Sequence, residues 1–215
     1  MERRINKKPK NIQIKTRQDG DNEVKVIIGY GAVFYRAGDS GTEYELFDGV
    51  KERISTEAFD RALQDKDDVR GLFNHNVDNL LGRTSADTMR LKKDNTGLQF
   101  EIDIDENDTD HQRVVAKIER GDLTGSSFSF VPEKVVWIDD EENDEEIRII
   151  ESVRLFDVGP VSFPAYEGTS ADLRSIDGDN KNVKQELEAH RHRHEGLKKR
   201  ARAKTIELER DGYTQ

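Results

Sequence analysis

The 215-residue chain contains no cysteine. This absence excludes a disulfide framework, a thiol nucleophile and any zinc site built on cysteine ligands. If the chain performs covalent catalysis, the reacting group must therefore be a hydroxyl, an amine or a carboxylate.

Apolar residues are also scarce, since 33% of the chain is hydrophobic and 37% is charged. A chain this polar is not expected to pack along its whole length, and we predict one domain with solvated tails. No apolar run approaches the roughly 18 residues of a membrane span. The first eight residues lack the apolar segment of a signal peptide. These features predict a soluble, intracellular protein with no membrane contact.

Negative charge is in excess overall, but the first 17 residues are basic. The net charge of −10 argues against a general nucleic-acid binder. The first 17 residues nevertheless hold seven basic side chains and a single acid, Glu2. We interpret residues 1–21 as a basic, flexible arm, with contact to nucleic acid or an acidic partner as the alternative.

The C-terminal part of the chain has a different composition. Residues 169–215 begin with a stretch rich in Gly, Ser, Asp and Asn and continue with strong helix formers. This pattern indicates a polar linker followed by a charged, partly helical tail. Its histidines His190, His192 and His194 form only a weak candidate for a metal site. The folded domain is therefore predicted to span residues 22–168.

Hydrophobic periodicity predicts the elements of this domain. Four elements have clear patterns: a strand over residues 23–34 that bends or bulges at its glycines, a helix over 54–63, a hairpin over 89–104 and a helix over 110–120. Asp108 or Thr109 would cap the second helix, and Gly121 would end it. Residues 139–146 contain seven acids in eight positions, which is typical of an exposed hairpin tip.

The stretch of residues 123–132 alternates serines with apolar residues. Ser127 and Ser129 would lie on one face of a strand, with Phe128 and Phe130 on the other. A strand serine is more often an ordinary polar residue than a nucleophile. The stretch also fails the G-x-S-x-G elbow, because its last position is Ser129 and no helix follows, so an α/β-hydrolase is disfavoured. His75, at the end of an apolar strand, is a second candidate site residue.

Four segments in this order resemble the prohead (capsid maturation) serine protease family of tailed bacteriophages, which is related to herpesvirus assemblin. The resemblance covers about residues 22–168. The segments are Gly29–Phe34, Ile54–Asn76 with Leu81–Thr84, Gly121–Phe130 and Leu155–Tyr166.

The resemblance implies an α+β, mainly β fold, with a mostly antiparallel β-barrel flanked by a few helices as in herpesvirus proteases. It implies a serine endopeptidase with Ser127 as nucleophile and His75 as general base. The orienting acid would be Asp157, with Glu151 as the alternative. No cofactor and no metal are expected.

Two positions depart from the family pattern. Asn76 stands where the family commonly has aspartate, and Ser129 where it commonly has glycine. Neither departure is expected to touch the implied triad, but Ser129 adds a side chain near the nucleophile, where it would alter the substrate pocket.

The resemblance also implies partners and a location. Such an enzyme would cleave the scaffold, extensions of the major capsid protein and itself, inside the immature capsid in the host cytoplasm. A homodimer or larger homo-oligomer is expected, without a membrane or a specific nucleic acid. The alternative is a non-catalytic scaffold or assembly protein on the same fold, and a small nucleic-acid-binding barrel has only the basic arm in its favour.

Overall fold

The computed structural model describes residues 1–6, 11–162, 181–197 and 200. The chain divides into two compact units, Met1–Ser175 and Ile176–Gln215. The predicted boundary after residue 168 and the predicted linker lie outside the described residues. In the second unit, residues 181–197 are helical.

The described part of the first unit forms eleven strands and two α-helices. The helices are α1 (Asp60–Gln64) and α2 (Thr109–Arg120). The strands are β1 (Glu2–Ile5), β2 (Ile12–Asp19), β3 (Asn22–Val33), β4 (Glu43–Phe47), β5 (Val50–Ile54), β6 (Arg70–Leu72), β7 (Leu80–Arg83), β8 (Met89–Lys93), β9 (Gly97–Asp103), β10 (Gly125–Asp140) and β11 (Glu145–Val161).

These strands form two open sheets. The larger sheet has the order β1-β10-β11-β5-β4, and it is extended by β6, which pairs with β11, and by β7, which pairs with β6. The smaller sheet has the order β2-β3-β9-β8. Most pairs are antiparallel, but β11 pairs in parallel with both β5 and β6. The mainly β fold with few helices is confirmed, whereas the predicted barrel is not, because these pairings close no ring.

The two sheets approach each other closely where a strand has a glycine. At Gly31, an added Cβ would lie 2.2 Å from Cγ2 of Val158, so β3 and β11 approach more closely than another residue would permit. The pairing of β3 with β9 also shifts register at this point, as the predicted bulge requires. The core contains five phenylalanines that are at most 1% exposed: Phe34, Phe59, Phe100, Phe128 and Phe130.

Several predicted elements are confirmed. The hairpin is formed by β8 and β9, and α2 is capped at its start by the carboxylate of Asp108. It ends at Gly121, whose φ of 86° lies in the left-handed region that favours glycine. The acidic segment joins β10 to β11, and residues 141–144 at its tip are exposed.

The predicted helix over residues 54–63 is wrong in its first half. β5 continues to Ile54, turns follow, and α1 begins only at Asp60. Ser55 accepts a hydrogen bond from the amide of Glu57 (3.2 Å), so its side chain stabilises a turn instead of capping a helix. The apolar pattern was informative nevertheless, because Ala58 and Phe59 are buried.

The predicted flexible arm over residues 1–21 is corrected by two strands within it. β1 pairs with β10 and β2 pairs with β3, while residues 7–10 lie outside the described residues. Two of the three charged side chains of β1, Glu2 and Arg4, are buried because they meet opposite charges from other strands, whereas Arg3 is exposed. Glu2 and Arg4 form ion pairs with Glu52 of β5 and Arg148 of β11, and none of these four residues is more than 7% exposed.

Two further expectations concern metals and membranes. In residues 1–6, 11–162, 181–197 and 200, no group of three or more His, Cys, Asp or Glu is placed to hold a metal ion. The rings of His190 and His194 stack with their centroids 5.9 Å apart. No helix in the part of the chain that the structure describes is long and apolar enough to cross a membrane.

Candidate active site

The hairpin of β10 and β11 places the candidate nucleophile and acid side by side. In its register, Ser127 lies opposite Gly159, and Ser129 lies opposite Asp157. Directly paired residues of an antiparallel ladder project to the same face, and so do residues two apart in one strand. The side chains of Ser127, Ser129 and Asp157 therefore share one face, while Phe128 packs into the core on the other.

His75 reaches this face from β6. That strand pairs in parallel with β11 at Asp157 and Val158, and a 3₁₀ turn over Phe73–His75 follows it. Asn74 and His75 have φ values of 56° and 55°. Non-glycine residues in this left-handed region cost on the order of 1–3 kcal/mol each and cluster at functional sites. The turn thus holds His75 in a conformation that the surrounding structure must enforce.

Two hydrogen bonds fix the strained turn to the end of β11. The side-chain amide of Asn74 donates to Oγ of Ser162 at 3.0 Å, and its oxygen accepts from the amide of Ser162 at 2.7 Å. Asparagine tolerates the left-handed region better than most residues because its short polar side chain bonds locally. Asn74 therefore combines the required backbone conformation with an anchor for the histidine.

A hydrogen-bonded chain connects the three predicted site residues. Nδ1 of His75 lies 2.5 Å from Oδ1 of Asp157, and Nε2 lies 2.7 Å from Oγ of Ser127. Ser127 is fully buried, and the side chains of His75 and Asp157 are 9% and 6% exposed. With Nδ1–H donated to the carboxylate, Nε2 of the neutral ring is the acceptor that a serine hydroxyl needs.

The expectation that Ser129 would not touch the triad is wrong, because its side chain contacts the orienting acid. Its hydroxyl donates to Oδ2 of Asp157, and the side chain is fully buried. The two oxygens of Asp157 thus receive different donors, His75 and Ser129. The alternation of β10 already put Ser129 on the same face as Ser127, but only the register with β11 shows which residue it meets.

The alternative acid, Glu151, is not brought to the site. It lies earlier in β11, where its carboxylate is 2.7 Å from Nζ of Lys134 on the paired strand. Asp157 is therefore the acid that the geometry places beside His75.

Gly159 allows β6 to approach close enough for His75 to reach the serine. A Cβ at Gly159 would lie 2.2 Å from the carbonyl oxygen of Leu72, the last residue of β6. This distance is far shorter than any normal contact, and both atoms belong to backbone segments that cannot rotate away. The glycine opposite Ser127 is thus a requirement of the site and not only of the sheet.

A comparison against protein families identifies the family of this chain. A model of the caudovirus prohead serine protease family matches residues 10–185. The chain belongs to this family. At the level of the family it is thus a serine protease of phage prohead assembly.

Two further comparisons concern solved structures and curated proteins. Among solved structures, the bacteriophage T4 capsid assembly protease, gp21, is similar to this chain with 15% sequence identity and a TM-score of 0.47, and the match covers 76% of this chain and 98% of that one. No curated protein matches this chain.

Asn76, where prohead proteases commonly have aspartate, does not touch the hydrogen-bonded chain. Its Oδ1 accepts a hydrogen bond from the amide of Asp78 at 3.0 Å, which closes the turn after His75. An aspartate would offer the same acceptor, so this departure preserves the turn.

Proposed function

We propose that the chain is a serine endopeptidase whose nucleophile is Ser127, whose general base is His75 and whose orienting acid is Asp157. The observation that carries the proposal is the continuous hydrogen-bonded chain from Oγ of Ser127 through both imidazole nitrogens to Oδ1 of Asp157. A serine hydroxyl becomes a strong nucleophile only when a neighbouring base removes its proton. These contacts supply that base and hold it in the required tautomer.

The reaction follows from these contacts. Oγ of Ser127 attacks the carbonyl carbon of the scissile peptide bond while Nε2 of His75 takes the hydroxyl proton. Asp157 stabilises the resulting imidazolium through Nδ1–H. The imidazolium then protonates the leaving amine, and a water molecule activated by the same histidine hydrolyses the acyl-enzyme. Because a protonated imidazole cannot accept the serine proton, activity is expected to fall on acidification.

The biological substrates belong to the same proposal. The family assignment supports cleavage of scaffold and capsid-protein extensions inside the immature capsid in the host cytoplasm. Self-cleavage is proposed in one or both of two segments, the polar tail after Gly168 and the basic arm before Gly20. An unchanged intact mass after long incubation would contradict it. Assembly as a homodimer or larger homo-oligomer, and kinship with herpesvirus assemblin, rest on the sequence resemblance. Sedimentation that shows only monomer at high concentration would count against assembly.

The proposal is tested by replacing residues of the triad one at a time. Wild-type, Ser127→Ala and Asp157→Asn proteins would be co-expressed with the capsid and scaffold proteins of the same phage, and cleavage would be read by intact mass. Ser127→Ala should abolish processing. Asp157→Asn should slow it by about 10⁴-fold, because an amide holds the wrong histidine tautomer.

Matched controls keep this test specific. Ser152→Ala changes another serine of the same hairpin, which bonds only weakly to Glu133 at 3.3 Å, and it should process normally. Processing by folded Ser127→Ala protein would show that the nucleophile is misassigned. A wild-type protein that never cuts its partners would favour the non-catalytic scaffold function.

A further inference from the structure

The nucleophile is covered by the chain's own first strand. Ser127 is fully buried, although a protease serine must be reached by a peptide carbonyl. On one side of Ser127 is Gly159 of β11, and on the other side is Ile5 of β1, its antiparallel partner. β1 stands at the end of the larger sheet, where it pairs with β10. It therefore occupies the side of β10 from which an extended peptide could pair with the nucleophile's strand.

β1 also competes for the hydroxyl proton of the nucleophile. Oγ of Ser127 lies 3.0 Å from the backbone carbonyl oxygen of Arg4 and 2.7 Å from Nε2 of His75. A hydroxyl carries one hydrogen, so it cannot donate to both acceptors at once. While β1 is in place, the proton that His75 must remove has a second acceptor in a peptide carbonyl.

The buried charges of β1 are arranged so that β1 can separate from β10 without leaving an unpaired charge in the core. Glu2 and Arg4 carry one negative and one positive charge, and they leave together. The residues that remain, Glu52 and Arg148, also carry one negative and one positive charge, and they are already paired at 2.5 Å. Breaking a buried ion pair is costly when one charge is left alone, but here each half of the network is neutral.

We propose that the edge of β10 covered by β1 is the binding site for the extended peptide segment that the enzyme cleaves, and that β1 is an internal occupant of this site. This inference rests on the proposed protease function. A substrate segment would replace β1 as an antiparallel strand, so that its backbone bonds to β10 and its carbonyl carbon comes within reach of Ser127. The enzyme is therefore latent until β1 is displaced.

The double variant Glu2→Ala/Arg4→Ala tests this inference because it removes the buried ion pairs that hold β1 and keeps the Glu52–Arg148 pair. Phosphonylation of Ser127 by a small fluorophosphonate, followed by intact mass, reports access to an activated serine. We expect the variant to react at least about tenfold faster than the wild-type chain. A tenfold increase corresponds to a free-energy barrier that is lower by about 1.4 kcal/mol when β1 no longer covers the serine. If both proteins are phosphonylated and the folded variant reacts only at the wild-type rate, the inference is overturned.

A peptide added in trans provides a test that does not depend on catalysis. The peptide Met-Glu-Arg-Arg-Ile-Asn, which reproduces residues 1–6, should bind the double variant in calorimetry and slow its phosphonylation. The matched control is Met-Arg-Arg-Glu-Ile-Asn, which has the same composition with the acid and one base exchanged, and it should bind at least tenfold more weakly. If neither peptide binds the folded variant, the strand site is wrong.

The wild-type chain offers a measurement that does not require the variant to fold. Excess peptide should accelerate hydrogen exchange of residues 2–5, because it competes with β1 for the same edge, and unchanged exchange would contradict the inference. Failure of the peptide site can be told apart from failure of the proposed protease function. Peptide binding without any phosphonylation of Ser127 would refute the proposed protease function and leave the peptide site standing.

Discussion

The carboxylate of Asp157 receives a different donor on each of its two oxygens, His75 on one and Ser129 on the other. A carboxylate held by a single hydrogen bond can rotate, and the imidazole then loses its fixed orientation. Ser129 is therefore a positioning residue, which acts on the reaction through Asp157. At position 129, where the family commonly has glycine, this chain has a serine whose hydroxyl holds Asp157 in place.

Replacing this hydroxyl should slow the chemical step more than it weakens substrate binding. Hydrogen bonds to charged groups contribute about 1.5–3 kcal/mol, so we expect Ser129→Ala to lower kcat by roughly tenfold or more with KM nearly unchanged. Ser129→Thr keeps the hydroxyl and should restore most of the activity. Steady-state kinetics on a peptide substrate would measure both values, and a change confined to KM would assign Ser129 to the substrate pocket instead.

At the scale of the elements, the site depends on how closely β6 approaches β11. Gly159→Ala would place a Cβ against the carbonyl of Leu72, and since neither backbone can rotate away, β6 and the turn that carries His75 must shift outward. A misplacement of about 1 Å can cost on the order of 10²-fold in rate. We expect a loss of that size in the phosphonylation rate of Ser127.

The matched control for this variant is Gly196→Ala. An added Cβ at Gly196, in the helical residues 181–197, meets no atom within 4 Å, and alanine favours a helix over glycine. This variant should react at the wild-type rate. Equal rates for Gly159→Ala and the wild type would show that β6 does not need its close approach.

The elements that the sequence predicted correctly are those that local rules determine. The alternation of β10 depends only on neighbouring residues, and so do the cap and the glycine at the two ends of α2. These features could therefore be recognised without a structure. The site itself was predicted through the family resemblance, since periodicity alone could not bring His75 to Ser127. Asp157 was preferred to Glu151 in the same way, and the register of the hairpin agrees.

The elements that the sequence missed depend on distant partners. β1 has the composition of a solvated arm, and its burial is explained only by Glu52 and Arg148, which neutralise its charges from other strands. Ala58 and Phe59 have the spacing of a helix, but they lie in the turns between β5 and α1. Ser129 was visible as a neighbour of the nucleophile, yet its role required the pairing across the hairpin.

At the scale of the whole molecule, the buried ion network should make the stability of the fold depend on pH. Burial alone would raise the pKa of the Glu52 carboxyl, but the charges and hydrogen bonds of Arg4 and Arg148 outweigh it, so the pKa lies below its ordinary value of 4.5. Such a group binds fewer protons in the folded chain. Its stabilisation is fully present above about pH 4.5 and is lost as the pH falls through the folded value.

Glu52→Gln should reveal this dependence in thermal melts followed by circular dichroism. At pH 7 the variant leaves Arg4 and Arg148 with only one buried carboxylate, that of Glu2, so one buried positive charge is uncompensated. We expect a loss of about 3–5 kcal/mol in the free energy of unfolding. The difference from the wild type should narrow as the pH falls below about 4.5, because the wild type then loses the same interaction. Glu45→Gln, at an exposed position of β4, is the control and should melt like the wild type. A difference that stays constant with pH would contradict the network's role.

The hairpin that carries Ser127 and Asp157 also has a consequence for the order in which the site is assembled. Ser129 and Asp157 are 28 residues apart in sequence, whereas His75 and Asp157 are 82 apart and meet through a parallel pairing that no tight turn can make. Closing the longer loop costs more entropy, so the hairpin is expected to form first. A newly made chain would then hold its nucleophile and its acid before its base, and it would stay inert at least until β6 has docked and brought His75 to them.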